Sequence, residues 1–534
     1  ILAPALAGPA LKVLHNAKFD IRVLRQAGMP LAPPYYDTMI AAFLLDENGE
    51  HGLKYLARDY LRRKATTYEE ALGGEQTLAD VPLEVARDYA CADAENTLAL
   101  KAVFQPLLER ECLAEAFDLE MEVVPVLADM EDAGVGVDLE ALYSTGVTLT
   151  EERGDYERRI KDIVAREINL NSPAQLSRYL YDELGLPVRG RTDTGEPSVD
   201  EETLKKIRSE HPVVEPILEY KKRQKALNLC SRLEKSIHPV TGRIHSELKQ
   251  ARVVTGRITT AKPNLQGVPK GPMRQVIIPR QEHVFIVADY SQIQLRILAN
   301  YSDDSGLIEA FLEGEDIHTQ TAAEIFTVRP QEVTADQRAT AKVVNFGIIF
   351  GMGSDTLARE LGTDRETADR YIRRFFDNHV RVRLFQEEQV RLARGCGYVR
   401  TFITGRKRRL ADIDSVDYSK RMADERRAFN AAIQGTEAEI LKRAMVRLSL
   451  VLQGHNARML LPVHDEIIVE VGQGENLQEI QELIRRTMEE PPEGFRVPLV
   501  VNLEIKRSWG GEVVDPATWE SEIYTSQTLA GPTH

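Results

Sequence analysis

The spacing of hydrophobic and polar positions divides the amino-terminal half of the chain into two kinds of segment. Over residues 1–110, short apolar runs such as residues 11–14 alternate with helical stretches such as residues 51–61, which predicts a mixed α/β unit. Residues 119–250 have a mostly helical period, interrupted by the turn-rich segment GRTDTGEP at residues 190–197. This half is therefore predicted to be a small α/β unit followed by helices.

The carboxyl-terminal half changes to a strand-rich pattern from about residue 243. The segment VFIVAD at residues 284–289 is typical of a buried strand, and a long helical stretch is predicted from residue 291 to about residue 394. A further helix is predicted over residues 422–450 and a β-hairpin over residues 459–471. Elements in this order predict an α+β, multidomain fold without internal repeats.

Length and composition agree with several folded units. At about 100–200 residues per domain, 534 residues suggest three or four units, and 43% hydrophobic residues exclude disorder of the whole chain. No apolar run approaches the roughly 18–20 residues of a membrane span, which predicts a soluble protein. Four scattered cysteines without a CxxC pair indicate reduced thiols in a cytosolic protein, not a zinc site. The amino terminus lacks Met and a basic segment, so we expect it to be the cut edge of a longer protein.

The net charge of −15 argues against a polyanionic partner, but two basic runs qualify it. Residues 221–257 contain ten Lys and Arg and only two acids, and residues 391–409 contain seven Lys and Arg and no acid. A single basic run is more often a solvated helix face. Two such runs on an acidic chain favour a surface that follows a phosphate backbone.

Two acidic segments at strand ends are the first candidates for chemistry. Asp289 ends the apolar strand 284–289, and Ser291 with Gln294 has the spacing of a helix capping box. The sequence HDE at residues 464–466 lies between two apolar strands. Each segment alone is more simply interpreted as a polar turn. Together they indicate that Asp289 and Asp465 meet on neighbouring strands, where divalent metal ions would relieve their repulsion.

A helix predicted between these acids carries a stripe of two cations and two aromatic residues along one face. Residues 334–337 form a second capping-box pattern, and Arg338, Lys342, Phe346 and Phe350 follow at steps of four, along one helix face. Two cations followed by two aromatic rings suit a ligand with a phosphate tail and a ring. The alternative is an ordinary amphipathic helix with its basic residues outside and its Phe residues in the core.

Six segments resemble the DNA polymerases of family A, the class of bacterial DNA polymerase I. They are TGRITTAKPNLQGVP, ADYSQIQLRILANYS, EGEDIHTQTAAEIF, RATAKVVNFGIIFGMG, ERRAFNAAIQGTEAEILKRAM and LPVHDEIIVE, in the family's order. The resemblance implies a right hand of palm, fingers and thumb, preceded by a truncated ribonuclease H-like α/β exonuclease domain. It implies an exonuclease-like domain at 1–110 and a polymerase domain at 111–534. Within the latter, the thumb would be about 119–250, the palm about 251–295 and 420–534, and the fingers about 296–419.

The resemblance also implies an activity, DNA-templated addition of deoxynucleotides to a primer 3′-OH with release of pyrophosphate. Two Mg²⁺ ions, with Mn²⁺ as a possible substitute, would be held by Asp289, Asp465 and the backbone of Tyr290, with Glu466 as a secondary acid. The residues implied for nucleotide binding are Arg338, Lys342 (also a proton donor to pyrophosphate), Phe346, Gln294, His318 and Phe350. Those implied for DNA binding are Arg257, Arg426, Asn430, Gln434, His464, Asn264 and Gln266. The partners would be primer–template DNA and dNTPs, without a membrane, for a cytoplasmic, nucleoid-associated monomer.

Three positions depart from the family pattern. Gln294 stands where bacterial members usually carry Glu beside the 2′ position of the sugar, so we expect weaker discrimination against ribonucleotides. Phe350 stands where Tyr is usual, which keeps the ring and removes the hydroxyl. Pro462 replaces the usual Gln before the segment VHDE and removes a backbone donor from that strand.

The exonuclease motifs are incomplete. HNAKFD, with Asn16 and Asp20, and YACAD, with Tyr89 and Asp93, resemble the second and third exonuclease motifs. The chemistry also needs an upstream D-x-E pair, and residues 1–19 contain no Asp or Glu, so we expect no proofreading by this chain. Three alternatives to the leading hypothesis stay open: the same fold with reverse transcriptase or ribonucleotide activity, a non-catalytic primer–template binding protein, and a protein that is principally an exonuclease.

Overall fold

The computed structural model describes residues 2–516, which begin with a small α/β unit. Its two short strands are parallel, and its helices enclose an apolar core that residues of the following helix complete. The elements are α1 Leu2–Ala7, β1 Lys12–Leu14, α2 Ala17–Gln26, β2 Tyr35–Asp37, α3 Thr38–Leu45, α4 Leu53–Leu61, α5 Tyr68–Leu72 and α6 Leu83–Arg110. The mixed α/β prediction for residues 1–110 is confirmed.

A helical region follows, as the period of residues 119–250 predicts. Its elements are α7 Ala114–Ala133, β3 Val135–Val137, α8 Leu139–Val164, α9 Pro173–Ser177, a π-helical turn Arg178–Glu183, α10 Glu201–Lys205 and α11 Val214–Lys235. The long helices α8 and α11 pack along each other, and a separate apolar core closes their far end. The predicted turn at residues 190–197 is present, with a bridge between Arg191 and Pro197.

Short strands then lead into the central sheet. They are β4 Arg243–Ile244, β5 Glu247–Lys249, β6 Thr259–Ala261, β7 Ile277–Ile278 and β8 His283–Tyr290, with α12 Pro272–Gln275 between β6 and β7. Strands β4, β3 and β7 form one small sheet, and β5 pairs with β6. The buried strand predicted at 284–289 is β8, whose residues 284–288 are all buried.

The long helical stretch after β8 consists of separate helices. They are α13 Ile293–Ser302, α14 Ser305–Leu312, α15 Ile317–Phe326, a 3₁₀ turn Pro330–Glu332, α16 Ala335–Ile349, α17 Ser354–Leu361, α18 Arg365–Asn378 and α19 Val380–Cys396, followed by the hairpin β9 Tyr398–Arg400 and β10 Lys407–Arg409. The breaks have local causes. Asp303 is left-handed at the end of α13, and Asp304 caps α14 by accepting from Leu307 N.

The last region completes the main sheet and its core. Its elements are α20 Tyr418–Val451, β11 Ala457–Val463, β12 Glu466–Gly472, α21 Leu477–Met488 and β13 Val501–Lys506. The sheet has the order β11-β12-β8-β13 with antiparallel neighbours, and α20 packs against α7, α13, α19 and α21. The helix predicted at 422–450 and the hairpin predicted at 459–471 are confirmed. Within residues 2–516, no helix is long and apolar enough to cross a membrane.

The second basic run does not form a phosphate-binding surface over its hairpin residues. Arg406 and Lys407 are buried and pair with Glu120 and Glu111, and Arg409 Nη1 lies 2.6 Å from Glu47 Oε2. These acids belong to the α3–α4 connection, the end of α6 and α7, so the cations tie the β9–β10 hairpin to the first part of the chain. The prediction of a phosphate-following surface is wrong here, because the neutralising acids are distant in sequence.

Candidate active site

The end of the central sheet brings Asp289 and Asp465 together. Strands β8 and β12 are neighbours, Asp289 is directly paired with Glu466, and Tyr290 N donates to Asp465 O at 3.1 Å. The turn between β11 and β12 is closed by His464, whose φ of 58° is left-handed. The two acids therefore meet on neighbouring strands, as their sequence context predicts.

Burial and mutual repulsion make this acidic pair electrostatically unfavourable. Burial, together with the charges of Asp465 and Glu466, raises the pKa of Asp289 to about 7. Burial also raises the pKa of Asp465. Lys270 partly offsets the negative charge at both positions. A bound cation would remove the remaining cost, because it favours both ionised carboxylates.

The donor set fits a hard divalent ion that shares its coordination with a substrate. Carboxylate oxygens are the ligands that Mg²⁺ prefers, and such sites commonly combine one or two carboxylates with substrate phosphates and water. Asp289 and Asp465 supply these oxygens, with the backbone carbonyl of Tyr290 adjacent. The Tyr290 side chain points elsewhere, since its hydroxyl is buried and donates to Met488 O at 2.7 Å. In the part of the chain that the structure describes, no cluster of three or more His, Cys, Asp or Glu side chains forms a complete metal site.

Glu466 is held by two residues that sequence reasoning missed. Trp509 Nε1 donates to Glu466 Oε1 at 2.7 Å, and the Arg274 guanidinium lies 3.9 Å from the Trp509 ring centroid and 3.9 Å from Glu466 Oε1. These contacts agree with a secondary role for Glu466, because its carboxylate already has protein partners. Trp509 is one of two tryptophans in the chain, and it lies outside every quoted motif, so no local pattern pointed to it.

Helix α16 carries the predicted stripe of cations and rings. The capping box is confirmed: Gln337 N donates to Thr334 Oγ1 at 3.2 Å, and Thr334 N donates to Gln337 Oε1 at 2.9 Å. Lys342 is exposed, and Phe346 and Phe350 are half-buried with ring centroids 6.4 Å apart at an interplanar angle of 17°. The rings are therefore not ordinary core residues, and their faces stay partly open.

His318 and Arg338 are positioned by neighbours on α15 and α16. Arg338 Nε donates to Asp316 Oδ2 at 2.5 Å. Asn345 Oδ1 accepts from Thr321, so Asn345 Nδ2 donates to His318 Nδ1 at 3.0 Å and leaves Nε2 as the imidazole donor. Burial lowers the pKa of His318 to about 4, so its ring is neutral at pH 7. The neutral ring lies 6.2 Å from Phe346, measured between centroids.

The capping box predicted at Ser291 and Gln294 is wrong. Ser291 N donates to Val500 O at 2.8 Å, which prolongs the pairing of the sheet past β8. The helix therefore begins later, with the left-handed Gln292 at its N-cap and no side-chain cap. Gln294 is left to donate from Nε2 to Glu437 Oε2 at 2.8 Å.

Glu437, a buried acid on α20, also binds a residue of the predicted DNA-binding set. Arg257 Nη2 donates to the same oxygen, Glu437 Oε2, at 2.6 Å. Glu437 is only 2% exposed, and burial raises its pKa although Arg257 opposes the shift. It lay inside the quoted segment QGTEAEI and was not singled out, because a single acid on a helix carries no signal of its partners.

The remaining predicted DNA-binding residues divide into two groups. Gln266 donates to Ile258 O at 3.0 Å and to Pro462 O at 2.8 Å, and Asn264 accepts from Thr260 at 2.9 Å, so both support the loop beside β11. Asn430 donates to Phe350 O at 3.0 Å. The others have exposed or half-buried side chains: Arg426, Gln434 and His464.

Comparison with known proteins identifies the class of fold. The family described as DNA polymerase family A matches residues 139–511, and the family described as 3′–5′ exonuclease matches residues 1–109. The chain belongs to DNA polymerase family A. The predicted architecture is thereby confirmed as an exonuclease domain followed by a family A polymerase domain.

This family A chain is similar to bacterial DNA polymerases I over most of its length. It is 39% identical to DNA polymerase I of Pseudomonas aeruginosa, covering 95% of this chain and 57% of that protein. It is 37% identical to DNA polymerase I of Geobacillus stearothermophilus, covering 93% and 58%. Thus the chain spans less than two thirds of these relatives. The POL domain of Pol1 from M. smegmatis, solved in complex with DNA primer-template and dNTP, has a TM-score of 0.85 at 32% identity, covering 95% of this chain and 88% of that one.

The exonuclease-like part of this family A chain holds its acids in different environments. Burial and the charge of Asp37 raise the pKa of Asp20 to about 6. Asp37 accepts from the backbone of Asn16 at 3.0 Å and caps α3. Asp93 is ion-paired with Lys54, whose ammonium lies 4.2 Å from the Tyr89 ring centroid. Lys54 therefore offsets the charge of one acid of the predicted remnant.

Proposed function

We propose that this chain is a DNA-templated DNA polymerase that adds deoxynucleotides to a primer 3′-OH and releases pyrophosphate. The observation that carries the proposal is the pair Asp289 and Asp465 at the end of the central sheet. The M. smegmatis structure, which is similar over 95% of this chain, is a complex with DNA primer-template and dNTP, which supports the same substrates here.

Asp289, Asp465 and the carbonyl of Tyr290 would hold two Mg²⁺ ions, or Mn²⁺ in their place. When bound, such ions lower the pKa of an attacking hydroxyl and stabilise charge on a leaving pyrophosphate. The carboxylates contribute fixed negative charge at one edge of a rigid sheet, where neighbouring strands prevent them from moving apart. We assign Glu466 the role of a nearby acid that supports this charge without being an obligatory ligand.

Residues of α15 and α16 would bind the incoming nucleotide. Arg338 and Lys342 would contact the triphosphate, and Lys342 would give a proton to pyrophosphate as it leaves. The neutral His318 would donate a hydrogen bond from Nε2. Phe346 would pack against the sugar and base, and Phe350 would lie near the templating position.

The assignment of DNA-binding surfaces follows the same proposal. The thumb, at about 119–250, would grip duplex through the part of the basic run that is exposed, which includes Lys222, Lys225 and Arg232. The primer–template and the nascent pair would be lined by residues of the palm and of α20, namely Arg257, Arg426, Asn430, Gln434, His464, Asn264 and Gln266. We further propose a monomer that acts in the cytoplasm at the nucleoid, where bacterial relatives find their template.

The alternatives are less well supported. A non-catalytic binding protein has no need of a half-buried, repulsive carboxylate pair. A principal exonuclease is disfavoured because the polymerase family matches residues 139–511, whereas the exonuclease family matches only residues 1–109. Ribonucleotide or RNA-template use is favoured only by Gln294 and would be a secondary property of the same active site.

Primer extension on a DNA template with Mg²⁺ and dNTPs tests the proposal. We expect the wild type to extend the primer and the variant Asp289→Asn to lose at least about a hundredfold in rate, because one fixed carboxylate is removed. Extension should stop with a chelator and return with added Mg²⁺. If neither protein extends a primer–template that both bind, the chain is a binding protein and the proposal is wrong.

A further inference from the structure

One carboxylate oxygen joins three segments beside the proposed active site. Glu437 Oε2, on α20, accepts from Arg257 Nη2 at 2.6 Å and from Gln294 Nε2 at 2.8 Å. Arg257 precedes β6, and Gln294 lies in the first turn of α13. No continuous element holds these two side chains, so their relative position depends on the shared acceptor.

The acid of this cluster is buried, its two partners are half-buried, and the cluster lies next to the proposed catalytic carboxylate pair. Glu437 is 2% exposed, and the negative charges of Glu437 and Asp465 repel each other. Arg257 acts electrostatically on Asp465 and on His464 as well, so its guanidinium lies between the acid on α20 and the β11–β12 turn. Within the described residues, Gln294 Oε1 and Arg257 Nε are buried without a hydrogen-bond partner. The polar group of each side chain therefore has one atom bound to Glu437 and another without a hydrogen-bond partner.

We propose that Glu437 is a positioning residue that fixes Gln294 and Arg257 for substrate selection, and that the acid at 437 dictates an amide at 294. The inference rests on the proposed polymerase function and names the group that sets its sugar selectivity. A Glu at 294 would bring a second carboxylate to within about 2.8 Å of Glu437 Oε2, in a site where charge is poorly solvated. One of the positions 294 and 437 can therefore carry an acid only if the other carries an amide.

Four proteins test this coupling: the wild type, Gln294→Glu, Glu437→Gln and the double variant that exchanges the two side chains. Single-nucleotide insertion gives kcat and KM for a dNTP and for the matching rNTP. We expect Gln294→Glu to lose kcat/KM for the dNTP, because the two acids repel. We expect Glu437→Gln to lower the dNTP-to-rNTP preference by about fivefold or more, because Gln294 and Arg257 lose their charged anchor.

The kcat/KM of the exchanged protein for the dNTP is the decisive measurement. The exchange restores one acceptor opposite one donor, so the protein should recover at least about fivefold in dNTP kcat/KM relative to Gln294→Glu. Glu439→Gln is the matched control, since Glu439 is a buried acid two residues further along α20 that accepts from Thr401 and Thr404. Its loss should lower the melting temperature without changing sugar preference.

The possible failures are distinguishable. A wild type that does not extend primers refutes the proposed function itself. If the wild type is active, two results would refute the role of Glu437 and leave the proposed function intact. One is an exchanged protein whose dNTP kcat/KM is no higher than that of Gln294→Glu. The other is an equal change in sugar preference in Glu437→Gln and Glu439→Gln. Melting temperatures of all five proteins separate misfolding from mispositioning. If Gln294→Glu does not fold, the comparison of Glu437→Gln with Glu439→Gln still tests the role of Glu437. The quantity compared is the ratio of kcat/KM for the dNTP to that for the rNTP.

Discussion

At the scale of single residues, the two cations of helix α16 differ in what holds them. Arg338 is bound to Asp316, whereas Lys342 is exposed and makes no hydrogen bond or ion pair with the part of the chain described here. An ammonium without a protein partner loses little when the fold forms and is available to a phosphate. Lys342 is therefore a residue whose removal should affect activity and leave stability unchanged.

We predict that Lys342→Met lowers dNTP kcat/KM by about 10²–10³-fold, because a positioned charge on the triphosphate is lost. Steady-state insertion kinetics measure the loss, and thermal unfolding should be unchanged. Lys161→Met is a suitable control, since Lys161 is an exposed lysine of α8 paired with Glu167. Equal activity of the two variants would contradict a role for Lys342 at the triphosphate.

Residue-level prediction from sequence succeeded where the interaction is local. The capping box at Thr334 and Gln337 formed as its spacing indicates, because both partners lie in the same turn. The same spacing at Ser291 and Gln294 did not form a box, because Val500, from a distant strand, holds the Ser291 backbone. The approach of Asp289 and Asp465 was predictable because the first lies at the end of an apolar strand and the second in the turn between two such strands.

At the scale of elements, the junction of α18 and α19 contains a buried histidine held by two acids. His379 Nδ1 lies 2.9 Å from Asp304 Oδ1, at the N-cap of α14, and Nε2 lies 3.1 Å from Glu324 Oε2, on α15. Burial alone would lower its pKa, but these hydrogen bonds and charges raise it to about 9. The protonated ring therefore connects three helical segments of the proposed fingers.

This raised pKa has a defined consequence for stability. Because the folded value exceeds the unfolded value of about 6.5, the stabilisation is complete below pH 6.5 and is lost as the pH rises through about 9. We predict that the free energy of unfolding of the wild type falls by up to about 3 kcal/mol more than that of His379→Gln between pH 6.5 and 9.5. Denaturant titrations at several pH values measure this difference. Parallel curves for the two proteins would contradict it.

Element types were largely predictable, because only one side of a helix or strand faces the core. The spacing of the apolar residues therefore follows the repeat of that element. The strand at 284–289, the helix at 422–450 and the hairpin at 459–471 all formed. The interruption of the region 291–394 was not predicted, because caps such as Asp304 end one helix and begin the next without disturbing the overall period. The role of the basic hairpin was also not predictable, since Glu47, Glu111 and Glu120 are supplied from the opposite end of the chain.

At the scale of the whole molecule, the exonuclease-like and polymerase parts are joined by buried charge. Glu120 on α7 lies at the centre: its Oε1 accepts from Arg406 Nη1 at 2.6 Å and from Lys442 of α20, and its Oε2 accepts from Gln250. Arg406 also lies over the Phe43 ring of the first unit, 5.2 Å from its centroid. One acid therefore compensates two buried cations at the junction of the hairpin, α20 and the first unit.

Neutralising this acid should be far more damaging than neutralising an exposed acid of the same helix. In Glu120→Gln the buried cations Arg406 and Lys442 lose the carboxylate that pairs with both, and removing one partner of a buried ion pair typically costs about 3–5 kcal/mol. Glu115→Gln is the matched control, because Glu115 is an exposed residue of α7. We predict that denaturant unfolding reports a loss of about this size for Glu120→Gln and little change for Glu115→Gln. Equal stability of the two variants would mean that Arg406 and Lys442 find other partners, and that the junction does not depend on Glu120.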